Sequence, residues 1–135
     1  MESWISEALA QWNSSGTKMN PPASIEEIER VEATLNFKFP EDFKQLYLVV
    51  NGFPDYHWQE YMFCFWPLEM IVEEFERFPK QRFIPVCDFL LASHEIGFVR
   101  NESGIYKYDY SQGNKIAETY QQVVAMINSN ADDIY

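Results

Sequence analysis

The sequence predicts an α+β fold in which N-terminal helices pack on a small, mainly antiparallel sheet and a further helix closes the chain. Three observations predict it: apolar residues at helical spacing in the first half, consecutive short strands separated by turn residues in the second half, and a last segment that returns to helical spacing. We expect residues 1–135 to form one domain, because a chain of this length buries roughly 68% of its unfolded surface.

Two helices are predicted in the first quarter of the chain. Residues 2–12 carry apolar side chains at i, i+4 and i+7, which is the spacing of one helical face. The linker at 13–22 contains two prolines and is too short to divide domains. A second helix is expected to begin after Ser24, because Glu27 three positions later completes a capping box with it.

The third predicted helix covers residues 40–50, within the stretch FPEDFKQLYLVVNG. Pro40 suits the first helical position, where its missing N–H costs nothing. Asp42 would then lie in the first turn, near the positive end of the helix dipole. Asn51 and Gly52 are expected to end the helix with a residue in the left-handed conformation.

The remaining chain alternates between strand-like and helical patterns. Strands are predicted at residues 61–66, 82–86, 95–100, 104–110 and, after a turn at 111–114, at 115–117. Pro85 indicates that the second of these strands lies at a sheet edge or ends there. Helices are predicted at 67–78 and after Thr119, which forms a capping box with Gln122. The last residues, 128–135, are predicted to fray.

The charge balance restricts the class of partner. The chain has 21 acidic and 10 basic residues, and its formal net charge is -11. A field of this sign repels phosphate backbones, so direct nucleic-acid binding is disfavoured and a basic protein partner is favoured. The alternative interpretation is that the acidity serves only solubility.

The cysteines and the N-terminus indicate a reducing compartment. Cys64 and Cys87 belong to no metal or redox motif, and each has apolar neighbours, so buried free thiols are expected. The N-terminus has neither the basic nor the apolar region of a signal peptide, and no apolar run is long enough to span a membrane. A cytoplasmic location is the expectation.

The sequence contains none of the common catalytic motifs, so we predict a protein that is not an enzyme and has no cofactor or metal. The two histidines, His57 and His94, have no ligand spacing with each other or with the cysteines. A nucleophile and base made of Cys87 and His94, or a hydrolase built on paired carboxylates, stays as an alternative.

A loop and a helix are the candidate partner-binding surface. The loop is rich in turn residues and aromatic rings, which is typical of interaction hot spots, and the helix has the largest local excess of carboxylates. The predicted partner-binding residues are Asp55, Tyr56, His57, Trp58, Glu60 and Tyr61 on the loop and Glu69, Glu73, Glu74 and Glu76 on the helix. The alternatives are that the rings fold back onto the sheet and that the helix face is merely solvated.

The stretch from residue 21 to residue 52 resembles the pattern of the SUKH superfamily, a fold shared by yeast cell-wall assembly regulators and many bacterial immunity proteins. Its pattern is a helix with an early isoleucine and a later glutamate and leucine, then a proline and aspartate, then an apolar helix that ends in Asn-Gly. The matching residues here are Ile28, Glu32, Leu35, Pro40, Asp42, Leu46, Asn51 and Gly52. The later segments FIPVCDF, IGFVR and ETYQQVVAMI also resemble family elements.

The resemblance implies an intracellular, non-catalytic toxin inhibitor that binds a cognate toxin, often a nuclease. Nuclease toxins are usually basic, which agrees with an acidic partner. A regulatory scaffold of the yeast type is the alternative within the family. The resemblance also implies that the motif residues, above all Glu32, Pro40, Asp42, Asn51 and Gly52, serve the structure and not an active site.

Overall fold

The computed structural model describes residues 1–55, 57–90, 93–109 and 112–135. Its elements are α1 (Ser3–Ser14), α2 (Ile25–Leu35), α3 (Glu41–Tyr47), β1 (Phe63–Phe65), α4 (Leu68–Arg77), β2 (Phe83–Phe89), β3 (His94–Val99), β4 (Ile105–Asp109), β5 (Gln112–Ala117), α5 (Tyr120–Asn128) and a 3-10 helix (Asp132–Ile134). The α+β class with N-terminal helices, an antiparallel sheet and a C-terminal helix is confirmed.

The five strands form one antiparallel sheet in the order of the chain, from β1 at one edge to β5 at the other. The strand β1 pairs only with the last three residues of β2, Cys87–Phe89. Among the described residues, the first half of β2 pairs with β3 alone, and Pro85 lies in this half, buried and next to an irregularity in register. The prediction of an edge strand or a strand end at Pro85 is wrong, because β2 lies between β1 and β3 and Pro85 is its third residue. Proline is tolerated here because the pairing with β1 begins only at Cys87, so no ladder bond to β1 is lost.

Aromatic rings fill the core between the helices and one face of the sheet. Phe43 stacks on Phe39 and on Tyr47, with ring centroids 4.2 Å apart in both pairs. Phe98 of β3 and Tyr120 of α5 meet Phe43 edge to face. This cluster therefore joins α3 and α5 to the sheet, and the other face of β1 and β2 is also largely buried, because consecutive residues of both strands are buried.

Both predicted capping boxes are present. The Ser24 hydroxyl accepts from the backbone N–H of Glu27, and the Glu27 carboxylate accepts from the N–H of Ser24. Thr119 and Gln122 form the same reciprocal pair at the start of α5. These boxes fix where α2 and α5 begin.

The third helix is shorter than predicted. It ends at Tyr47 instead of residue 50, and Pro40 occupies the N-cap position, one residue before the first helical turn. The Tyr47 carbonyl accepts the N–H of Ala23 from the linker before α2, so it is not used to continue the helix. Gly52 does have a left-handed φ of 63°, but it lies beyond the helix end.

Two other boundaries differ from the predictions. The strand β5 begins at Gln112, within the predicted turn at 111–114, because its residues pair with β4 up to the Asp109–Gln112 position; Tyr110 and Ser111 lie outside the described residues. The predicted frayed tail instead forms the 3-10 helix, because Ile134 is apolar and is fully buried in the core.

The residues of the family-like pattern hold the helices in place. Asn51 is buried, and its Oδ1 accepts the N–H of Leu68, the first residue of α4, at 2.9 Å. The Asp42 carboxylate accepts the N–H of Gln121, so α3 is tied to the start of α5. Glu32 is buried and accepts the N–H of Phe39 at 2.8 Å, which fixes the segment between α2 and α3.

Candidate functional site

A groove opens between the loop that follows Gly52, the helix α4 and the outer face of β1 and β2, with a volume of about 320 Å³. Four of its lining side chains are carboxylates, four are aromatic or sulfur-containing, and one is cationic. They are Asp55, Glu73, Glu74 and Asp88; Trp58, Cys64, Trp66 and Met70; and Arg77. We call this surface the acidic groove.

Strand alternation builds the floor of the acidic groove. Phe63 and Phe65 of β1 are buried in the core and point to the helical face. Cys64, between them, therefore points to the opposite face, and Trp66 two residues later lies on the same side. Both of these side chains line the groove.

The register of the sheet places Cys64, Asp88 and Glu95 in one row across three strands. Cys64 lies opposite Asp88 of β2, and Asp88 lies opposite Glu95 of β3. Side chains directly opposite each other in an antiparallel pair share a face. Asp88 is therefore at the centre of the row, and Glu95 adjoins the groove at its β3 side.

The helix α4 forms one wall of the acidic groove. Met70, Glu74 and Arg77 lie at i, i+4 and i+7 of α4, so they share one face, and Glu73 lies beside them. Arg77 Nη1 is 3.6 Å from a Glu74 carboxylate oxygen. Among the described residues that line the groove, Arg77 is the one cation.

The loop that follows Gly52 forms the other wall of the acidic groove and is tightly folded. Gln59 is buried, and its Oε1 accepts the N–H groups of Tyr61 and Phe63. The backbone N–H of Gln59 donates a further hydrogen bond to the carbonyl of Phe63 at 2.9 Å. These contacts explain why β1 starts at residue 63 and not at the predicted residue 61, and they hold Trp58 at the groove.

Burial and neighbouring carboxylates raise the pKa of Glu95 from 4.5 to about 7. Burial is the largest cause, followed by the negative charges of Glu74 and Asp88. Both neighbours line the acidic groove, so the negative charge of the groove acts on Glu95 of β3.

The two cysteines are free and buried. Burial, and then the charges of Asp88 and Asp55, raises the pKa of Cys64 to about 12. Burial likewise raises the pKa of Cys87 well above its ordinary value. A thiol in this state is a poor nucleophile at neutral pH, because the thiolate is the reactive form.

Replacing Glu95 with glutamine is expected to stabilise the protein at pH 8 and not at pH 4. The folded chain holds the Glu95 proton to a higher pH than the unfolded chain, so wild-type stability falls as pH rises from about 4.5 to about 7. After allowance for the partial exposure of Glu95, the gain in the free energy of unfolding should be about 1 kcal/mol. Urea unfolding at both pH values measures it, with Glu29→Gln on the exposed face of α2 as the control. A gain of the same size at both pH values would contradict the prediction.

The structure brings four of the predicted partner-binding residues together in the acidic groove: Asp55, Trp58, Glu73 and Glu74. The other predicted residues lie elsewhere or outside the described part of the chain. His57 and Tyr61 are half-buried, and the Tyr61 ring lies near the C-terminal Tyr135. The Glu60 carboxylate accepts a hydrogen bond from Gln11 of α1, on another side of the loop.

The helix α4 divides its predicted carboxylates between two sides. Glu69 accepts a hydrogen bond from Asn51 and faces a second cavity toward α2. Glu76 is exposed, and Glu73 lies on the ridge between the two cavities because it lines both. Tyr56 lies outside the described residues. The helix is thus not one uniform acidic face.

Sequence reasoning did not identify five groove residues and the adjoining carboxyl: Cys64, Trp66, Met70, Arg77, Asp88 and Glu95. One signal was available. Asp88 is the single charged residue in the otherwise apolar strand FIPVCDF, and a buried carboxylate in such a strand is typical of a functional surface. The pairing of Asp88 with Cys64 and Glu95 depends on strand register, which a single sequence does not reveal.

Residues 1–55, 57–90, 93–109 and 112–135 contain neither a metal-binding cluster nor a membrane-spanning helix. No three histidine, cysteine, aspartate or glutamate side chains within these ranges come close enough to hold a metal ion. No helix in them has the length and hydropathy needed to cross a membrane.

Comparison with known proteins identifies the family. None of the curated proteins compared with the chain matches it. The model of the SMI1/KNR4 family (SUKH-1) matches residues 22–134, a range that includes every element after α1. The chain therefore belongs to the SMI1/KNR4 family (SUKH-1).

Proposed function

We propose that this protein is an intracellular immunity protein that binds a cognate toxin, a basic nuclease domain, and neutralises it by occupancy without catalysis. Family membership supports the coarse role, because the family contains immunity proteins and cell-wall regulators. The observation that carries the finer proposal is the acidic groove, where four carboxylates surround two tryptophans. This arrangement combines aromatic anchors with charges that attract a basic surface.

The mechanism requires contact and no chemistry. A nuclease must hold phosphates, so its substrate-binding surface is positively charged. A protein of net charge -11 approaches such a surface faster than a neutral one. Once bound, it excludes the nucleic acid because both ligands need the same positive surface.

Two other functions are distinguishable. A regulatory scaffold of the yeast type would bind host proteins and would not protect cells from a toxin. A hydrolase is favoured by one observation, the carboxyl of Glu95 with a pKa of about 7 next to the groove, since a general acid needs a raised pKa. In that case Glu95→Gln would abolish an activity, whereas under our proposal the variant still protects cells.

Co-expression with a toxin tests the proposal. The partner to use is the toxic C-terminal domain of a secreted protein encoded beside this chain's gene, and the readouts are cell growth and complex formation on a sizing column. We expect the wild-type chain to restore growth. Trp58→Ala should cost about 2 kcal/mol or more of binding free energy and weaken protection, because aromatic anchors carry most of the energy of an interface.

The half-buried Tyr61 on the same loop provides the matched control, since Tyr61→Ala also removes a ring but lies outside the groove. Continued growth arrest in cells that contain the soluble, folded wild-type chain would contradict the proposal. Equal loss of protection in both variants would show that the loop matters only through its fold.

A further inference from the structure

The described residues that line the acidic groove include more acidic than basic side chains. Asp55, Glu73, Glu74 and Asp88 line it, and Arg77 is the one cation among its described lining residues. Within the described part of the chain, Arg77 pairs with Glu74 at 3.6 Å, and its side chain is 67% exposed. An exposed pair of this kind is weak, so it leaves the groove open to a stronger cation.

The titration of neighbouring groups agrees with this imbalance. Glu74 and Asp88 both raise the pKa of Glu95, and Asp55 and Asp88 both raise the pKa of Cys64. Carboxylates on the loop, on α4 and on β2 therefore act on the same space. A ligand that enters this space gains from all of these walls at once.

The apolar and aromatic lining of the groove determines which kind of cation fits it. Trp58, Trp66 and Met70 give it apolar and aromatic surface beside the carboxylates. A long aliphatic stem with a flat charged end fits this combination, because the stem covers apolar surface and a guanidinium stacks on indole rings while it donates to carboxylates. A lysine ammonium is more strongly hydrated and stacks less well.

The floor of the acidic groove contains a buried hydrogen-bond donor, the indole N–H of Trp66. Trp66 is buried, lines the groove, and its Nε1 makes no hydrogen bond within the described part of the chain. Buried indole N–H groups usually have a partner. A bound segment brings backbone carbonyl oxygens as well as a side chain, and such an oxygen would satisfy this donor after a small shift of the ring.

We propose that the acidic groove is a receptor for an arginine side chain of the protein partner, and that Arg77 is a competing internal cation which the partner's arginine displaces from Glu74. The inference rests on the proposed function for the identity of the partner, but the chemistry of the groove can be tested without it. The proposal predicts that removal of the positive charge of Arg77 strengthens the binding of a cationic ligand in the groove. The gain should exceed the one that follows from making the whole protein more negative by one charge.

A tripeptide titration tests the receptor. The probe is N-acetyl-Gly-Arg-Gly-amide at low salt, and the readout is the indole N–H resonances of Trp58 and Trp66 in the ¹⁵N-labelled full chain. We expect saturable shifts of both resonances at millimolar peptide. The same peptide with citrulline, which is neutral and has nearly the same shape, should shift neither, and the lysine peptide should bind more weakly.

Four variants separate the effect of the groove from the effect of the protein's net charge. Glu73→Gln with Glu74→Gln should lower the affinity for the arginine peptide, whereas Glu26→Gln with Glu29→Gln, an equal charge change on exposed positions of α2, should leave it nearly unchanged. Arg77→Gln should raise the affinity about two- to fivefold, the equivalent of one exposed ion pair. Arg30→Gln on α2 is the control for the general field, and its effect should be smaller.

The inference is overturned if the citrulline or lysine peptide binds as well as the arginine peptide, if neither indole resonance moves, or if Arg77→Gln does not exceed Arg30→Gln. Failure of the two proposals is distinguishable. A chain that restores growth against the toxin but ignores the peptide keeps its proposed function and loses the arginine receptor. A chain that binds the peptide in the groove but protects against no toxin keeps the receptor and loses the proposed function.

Discussion

Replacing Gly52 with alanine is expected to lower the free energy of unfolding by about 3–4 kcal/mol, or to prevent folding, because two costs add. Gly52 has a φ of 63°, a conformation that residues with a Cβ resist. A Cβ at this position would also lie 2.6 Å from backbone atoms of Phe65, Trp66 and Pro67, which cannot rotate away. Urea unfolding of the purified variant measures the loss.

Gly16 provides the control for the first of these costs. It has a similar φ of 74°, but a Cβ there would meet nothing within 4 Å. Gly16→Ala should therefore cost only about 1–2 kcal/mol, the penalty of the left-handed conformation. Equal losses in the two variants would show that the close contact with the chain between β1 and α4 is not what requires glycine at position 52.

Replacing Asn51 with alanine is expected to cost about 2–3 kcal/mol, because it leaves a buried donor without a partner. The Asn51 side chain accepts the N–H of Leu68 at 2.9 Å and donates to Glu69 at 3.3 Å, so it caps α4 from outside the helix. The same substitution should loosen the wall of the acidic groove, since α4 carries Glu73 and Glu74.

Asn51→Asp separates the two hydrogen bonds. It keeps an acceptor for the N–H of Leu68 but loses the donor to Glu69 and places two carboxylates side by side. In thermal or urea unfolding, Asn51→Asp should lose about half of the free energy of unfolding that Asn51→Ala loses. If Asn51→Asp is as unstable as Asn51→Ala, the acceptor at the start of α4 is not the source of the stability.

The parts of the fold that could be predicted from the sequence depend on short-range chemistry. Ser24 and Glu27, like Thr119 and Gln122, form their capping boxes within one turn, so four consecutive residues are enough to reveal each helix start. The apolar spacing of α4 is equally local. The α+β class followed from these elements and from the turn residues between the strands.

The errors came from contacts between distant segments. Pro40 and Gly52 indicated a helix to residue 50, but the Tyr47 carbonyl is taken by the N–H of Ala23, and the helix ends there. The C-terminal tail was predicted to fray, as chain termini commonly do, yet Ile134 reaches the core. Neither partner can be found by reading neighbours along the chain.

The candidate site shows the same division. Aromatic residues in the loop and carboxylates on α4 were visible in the sequence, and Trp58 and Glu74 do meet in one groove. Asp88 was not recognised, because its place in the groove depends on the register that pairs it with Cys64. A helical period predicted one acidic face, whereas packing of α4 between α2 and the sheet turns Glu69 away from the groove.

The central claim is that a basic partner binds at the acidic groove, and the association rate with the neutralised toxin domain tests it most directly. The rate should be measured at low and at physiological salt for the wild type and for two variants of equal charge, Glu73→Gln with Glu74→Gln and Glu26→Gln with Glu29→Gln. We predict that the groove pair slows association and flattens its salt dependence far more than the α2 pair, because charges near the contact steer the encounter. Equal effects of the two pairs would contradict the claim and place the interface on another face.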